Sequence, residues 1–217
     1  MNDNEIKNNE VSFAVSNKSE HLSETALKPL MCGVGYHDGD NIDYYSKSYK
    51  RWHDMIHRCY NERFHERQPQ YKECTVCEEW KNYSNFKVWY DENYYSICGE
   101  QMDLDKDILF KGNKIYSPNT CAFVPHSINT LFLNGKKRRG SLPLGVYLDT
   151  ERKKYRVQIN CFGKSVRLGR FKDPVSAFEK YKDYKEKHIK DVAEKYKDKL
   201  PYKVYRAMME WKIEITD

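Results

Sequence analysis

In "SKSYKRWHDMIHRCYNERF" the residues Trp52, Met55, Ile56, Cys59 and Tyr60 recur at helical spacing, which predicts an amphipathic helix. A shorter helix is expected over "SNFKVWYDENYY", with Phe86, Trp89 and Tyr90 on one side. The segment between, "QPQYKECTVCEEW", reads as a loop with a short extended piece. "MDLDKDILF" alternates as a strand does and would set Asp103, Asp105 and Asp107 on one face. Three carboxylates in a row repel one another unless a cation or a basic partner sits there. "KGNK" supplies a turn, "IYSPNTCAFVP" a second extended piece, and "HSINTLF" opens a helix after Pro125, so the predicted order is strand, strand, helix.

Beyond "NGKKRRGSLP", a basic run between glycines that reads as a linker able to lie along phosphates, the alternation sharpens. In "KYRVQINCFGKSVRLGRF" the apolar Tyr155, Val157 and Ile159 alternate with Arg156, Gln158 and Asn160. Val146 and Leu148 before it, and Val166 and Leu168 after it, take the same inward parity, with Tyr147, Asp149 and Arg167 outward. This predicts a three-stranded antiparallel meander with one apolar and one polar face. Asp173 as N-cap and Pro174 at the first helical position begin a helix whose Ala177, Phe178, Tyr181 and Tyr184 can cover the apolar face. The polar face then presents a donor and acceptor set suited to base edges in a major groove. "YKVYRAMMEWKIEITD" adds a last helix with Val204, Met208 and Trp211 able to pack.

The expected fold class is α+β. Residues 1–35, rich in Asn, Ser, Glu and Lys, read as a disordered or loosely packed arm. Residues 36–134 form a first domain, 135–143 the linker, 144–195 the sheet-and-helix domain and 196–217 a C-terminal helix and tail.

Length and charge narrow the function classes. The chain has 217 residues, enough for one or two cores, and no apolar run near the roughly 20 residues that span a bilayer. Its start lacks the basic and apolar regions of a secretory signal, so cytoplasmic residence is expected. Seven scattered cysteines suit reduced thiols, and Cys74 with Cys77 lacks the second ligand pair a zinc site needs, so no zinc is expected. The net charge of +6 conceals a split: 15 Lys+Arg and 20 Asp+Glu up to Asn134, then 23 and 12 from Gly135 onward. The basic half is the expected polyanion binder.

Two family resemblances carry the reading further. "GVYLDTERKKYRVQINCFGKSVRLGRFKDPVSAFEKY" resembles the plant-type APETALA/ethylene-response-factor DNA-binding domain through Gly145-Val146, Tyr155, Leu168-Gly169, Phe171 and Ala177. The resemblance implies a sheet laid in the major groove, with Tyr147, Asp149, Arg156, Gln158, Asn160 and Arg167 as contacts. Arg152 and the linker's Lys136, Lys137, Arg138 and Arg139 are expected to join them on the phosphates.

"RWHDMIHRCYNE", "TVCEEW", "LDKDILFKGNKIYSPNTCAFVP" and "INTL" resemble phage-type HNH endonucleases, a ββα fold that grips one divalent metal. The resemblance implies Mg²⁺ or Mn²⁺ on Asp105 and Asn129, with Asp107 or Asp103 nearby, and Asn119 as the residue that pins the loop between strands. Lys106 stands where the family has its general-base His, and a protonated lysine cannot take a proton from water. Three outcomes stay open: Lys106 stabilises phosphoryl charge, His126 (or His53 or His57) serves as base, or catalysis is lost. The leading expectation is a site-specific, homing-type endonuclease on double-stranded DNA, of phage origin and acting in the host cytoplasm, nicking or cutting both strands. Its oligomeric state is open, with a monomer favoured. A catalytically silent DNA-binding regulator is the alternative, and an RNA- or acidic-protein-binding module a third.

Overall fold

The computed structural model describes residues 31–39, 41–133, 141–161 and 163–217. The linker residues Lys136, Lys137, Arg138 and Arg139, and most of the N-terminal arm, lie outside the described residues. The fold is α+β, as expected.

Helix α1 (Lys47–Tyr60) is capped by Ser46, whose hydroxyl accepts the Tyr49 N–H, and buries Trp52, Met55, Ile56 and Cys59. Asn61 ends it and caps the short α2 (Glu62–Arg67), so the helical pattern continues as two helices. β1 (Thr75–Val76) and α3 (Glu78–Lys81) lead to α4 (Tyr83–Asn93), which buries Tyr83, Phe86, Trp89 and Tyr90. Trp52 donates its indole N–H to the Trp80 carbonyl at 2.7 Å, so the most buried ring of α1 keeps its polar atom satisfied.

β2 (Met102–Asp105) pairs antiparallel with β4 (Ala122–Pro125), and α5 (His126–Asn129) follows directly. Between them β3 (Ile115–Tyr116) pairs in parallel with β1 instead. All four residues of β4 are buried, because the strand is a wall between two cores. Phe123 packs with Trp52, Trp80, Phe86 and Trp89, while Ala122 and Val124 pack with Ile128, Val157, Phe178 and Ile189.

β5 (Val146–Asp149), β6 (Lys154–Cys161) and β7 (Lys164–Phe171) form the expected three-stranded antiparallel sheet. α6 (Pro174–Lys195) covers it, capped by Asp173, which accepts the Ser176 N–H at 2.8 Å. Leu148 departs from its expected inward place. It is 52% exposed, outside the core that Val146, Val157 and Ile159 share. α7 (Tyr202–Glu210) buries Val204 and Met208, and Trp211 beyond it meets Phe132 with ring centroids 4.5 Å apart. The sheet-and-helix unit and the hairpin therefore share a core. Polar ties reinforce the join: Tyr196 donates to Glu100 at 2.5 Å, and Lys111 reaches the Lys212 carbonyl at 2.8 Å.

Candidate functional site

The β2–β4 hairpin places the acidic run, but not as an unbroken row. β2 ends at Asp105, whose Oδ1 accepts the N–H groups of Asp107 at 2.8 Å and Ile108 at 2.6 Å. That side-chain turn bends the chain away and takes Asp107 off the strand. Burial, reinforced by the charge of Asp107, raises the Asp105 pKa against the lowering effect of those backbone bonds. Asp107 instead accepts Lys106 Nζ at 2.7 Å, and Lys106 also donates to the Asn113 carbonyl at 2.8 Å. Burial works against the Lys106 charge, but the bond and charge of Asp107 outweigh it, and its pKa is raised. Lys106 is thus a firmly protonated cation, unsuited to accepting a proton.

Asn119 is exposed in the following turn. The pinning expected of it falls to Asn113, whose Nδ2 donates to the Lys106 carbonyl at 2.9 Å and the Ile115 carbonyl at 2.7 Å. The reason is position: Asn113 occupies the Gly-Asn turn itself, within reach of both flanking backbones. The Gly112-Asn113 pair of a tight turn was a signal for it.

Asp103 is the carboxylate that gathers partners. Its Oδ2 accepts His126 Nδ1 at 2.6 Å and Asn129 Nδ2 at 3.1 Å. Its Oδ1 accepts Gln101 Nε2 at 3.2 Å and faces Arg51 Nη2 at 3.9 Å. Burial opposes the Asp103 charge, yet the bonds from His126, Asn129 and Gln101 prevail and hold its pKa below the usual carboxylate value. His126 is the first residue of α5 and its side chain is 57% exposed. With Nδ1 committed to Asp103, its Nε2 is the nitrogen left for a ligand or a proton. Sequence reading placed His126 and Asn129 near this strand; it missed Arg51, which also donates to the Met102 carbonyl at 2.6 Å and carries no local signal.

Asp105 and Asn129 line one groove of about 1010 Å³, with Lys106, Arg58, Lys111 and Lys114 also on its walls. Among the described residues no three His, Cys, Asp or Glu side chains converge as a metal-holding group. Mg²⁺ needs no such cage, since it commonly takes one or two protein oxygens and fills its shell with water and phosphate. Asp105, with one oxygen outside its turn bonds, and Asn129, with its amide oxygen, each bring an oxygen donor of that type to the groove. Asp107 is occupied by Lys106.

The outer face of the sheet is the second candidate site. Tyr147, Arg156 and Arg170 stand in one row across the three strands, and the Arg156 guanidinium lies 5.7 Å from the centroid of the Tyr147 ring. Arg156 Nε is buried and has no hydrogen-bond partner among the described residues. Asp149 accepts the Arg152 N–H at 3.2 Å and Arg170 Nε at 3.1 Å, contacts that lower its pKa, the Arg152 backbone bond foremost. Asp149 therefore holds the Arg170 side chain and the backbone of the β5–β6 turn. Gln158 pairs with Arg167 in the next row, and Asn160 with Ser165 beyond it.

Arg170 was missed for a clear reason. It lies three residues after the outward Arg167, so strict alternation turns it inward. A register shift between Val157 and Gln158 leaves Leu168 as an extra residue in β7 and restores Arg170 to the outer face. The neighbouring Gly169, at φ +131°, was the available signal.

Among the described residues no helix is long and apolar enough to cross a membrane. No family model, curated protein or solved structure matches the chain.

Proposed function

We propose that this chain is a DNA endonuclease that holds duplex DNA on the outer face of β5–β7 and hydrolyses a phosphodiester beside the β2–β4 hairpin. The observation that carries the reading is the junction of two surfaces through one core. A sheet face bearing Arg156, Gln158, Arg167 and Arg170 is joined to a hairpin bearing Asp103, Asp105, His126 and Asn129.

The sheet face supplies register, and the groove, with the Asp103–His126 pair that Asn129 adjoins, supplies chemistry. A β-sheet is narrow enough to enter a major groove, and arginine and glutamine side chains are the usual readers of base edges there. In the groove, Lys106 and Arg58 offset the charge of an incoming phosphate. Asp105 and Asn129 would hold Mg²⁺, which supplies Lewis-acid polarisation of the phosphoryl oxygens. Asp103 orients the His126 ring so that Nε2 can take the proton of an attacking water, the role Lys106 cannot fill while protonated. The 3′ oxygen then leaves and is protonated by solvent.

A second reading has its own observation. The Lys106–Asp107 pair fills the position where the resembled endonucleases have a base, as it would in a DNA-binding regulator that has given up catalysis. Incubation of supercoiled plasmid with the full chain and Mg²⁺ or Mn²⁺ separates the two. Nicked or linear product, lost in Asp105→Ala and reduced at least tenfold in His126→Ala, supports the endonuclease; a general base contributes about 10²–10⁴-fold. Intact plasmid with a salt-sensitive gel shift supports the regulator. Preferential binding of single-stranded RNA over duplex DNA would sink both.

A further inference from the structure

We infer that Arg170, held in place by Asp149, reads a guanine in the bound duplex. The inference rests on the proposal that this sheet face lies on DNA.

Four observations lead to it. The extra residue in β7 turns both Arg167 and Arg170 outward, although three positions apart they would face opposite ways on a regular strand. Asp149 is itself fixed, because its Oδ1 accepts the backbone N–H of Arg152 in the β5–β6 turn. Its Oδ2 accepts the Nε–H of Arg170, so the side chain from β7 reaches over the central strand to a carboxylate on β5. Among the described residues Arg167 has no ion pair with a carboxylate, so the two arginines of β7 are held differently.

The chemistry follows from which nitrogen Asp149 takes. A guanidinium has five N–H donors in one plane. With Nε committed to Asp149, the edge carrying the two Nη groups is presented on the far side. That edge matches the paired acceptors O6 and N7 of guanine in the major groove, the commonest base-specific contact arginine makes. Holding the fork before DNA arrives removes part of the ordering cost of binding. Asp149 acts through Arg170 and is a positioning residue. Lysine at position 170 would keep the charge and lose the fork.

The test uses the full chain. Duplexes that the wild type selects from a randomised pool are resynthesised with each guanine in turn replaced by 7-deazaguanine, which lacks the N7 acceptor. Affinities are compared for wild type, Arg170→Lys and Asp149→Ala. The expected result is a guanine whose replacement weakens wild-type binding about tenfold or more. Arg170→Lys, whose ammonium lacks the planar fork, should respond more weakly to that replacement. Asp149→Ala should lose most of the discrimination while its circular dichroism spectrum stays unchanged. Duplex binding in which wild type and Arg170→Lys respond alike at every guanine overturns the inference and leaves the DNA-binding proposal standing. No duplex binding by wild type at any salt concentration overturns both.

Discussion

Lys185 shows how far one side chain can depart from what its type predicts. It lies on the buried stripe of α6 between Tyr181 and Ile189, four residues from each, and is itself only 5% exposed. Burial lowers its pKa to about 8. The unfolded chain, with the ordinary lysine value of 10.5, therefore binds more protons than the folded chain between about pH 8 and pH 10.5. Below that window both forms are charged and the full penalty, on the order of 3 kcal/mol, weighs against folding. Stability should then rise as pH increases through the window. Lys185→Met should stabilise the protein at pH 7 by about 1–3 kcal/mol and flatten the rise, as followed by urea unfolding at pH 7, 9 and 10.5. A wild-type stability that falls from pH 8 to pH 10, with no gain in the variant, would count against this account. The helical period at Ala177, Phe178 and Tyr181 was readable in sequence, whereas the burial of Lys185 was not. A lysine on an apolar stripe usually extends its ammonium to water, and only the packing of neighbouring elements removes that route.

At the scale of elements, the entry into the sheet depends on Gly145. Its φ is +76°, in the left-handed region, and a Cβ there would overlap the Tyr181 ring of α6. Gly145→Ala should cost about 2–4 kcal/mol from backbone strain and overpacking together, read as a lowered urea midpoint. Gly163→Ala makes a control, since its φ is +79° but among the described residues no atom beyond its chain neighbours lies within 4 Å of its Cβ position, so only the strain component should appear. Equal losses at the two sites would mean that the Tyr181 contact is yielding. The meander and its capped helix were legible because alternation over eight residues and an Asp-Pro start are local signals. The hairpin was legible only in outline. The strand read through "MDLDKDILF" stops at Asp105 because one carboxylate oxygen captures two backbone N–H groups, a choice that alternation does not encode. The carboxylate that gathers the histidine and the asparagine is consequently Asp103, one step earlier in the pleat.

For the molecule as a whole, the charge split becomes a prediction about binding. Each phosphate neutralised contributes about −0.9 to the slope of log K against log salt on duplex DNA. Arg167→Ala on the sheet and Lys114→Ala on the groove wall should each reduce that slope by about 1 if one duplex touches both surfaces. A reduction for Arg167→Ala alone would confine DNA to the sheet and separate it from the hairpin.

By itself the sequence determined the α+β class, the order of the elements, the sheet with its apolar and polar faces, and the acidic-to-basic change along the chain. These depend on residue type and short-range periodicity, which act over a few neighbours. Tertiary structure alone decided that β4 is a wall common to two cores, that Asp103 rather than Asp107 joins His126 and Asn129, and that a single extra residue turns Arg170 toward the polar face. Each of those outcomes is set by strand register and by which side chains meet across elements, distances that no local spacing contains.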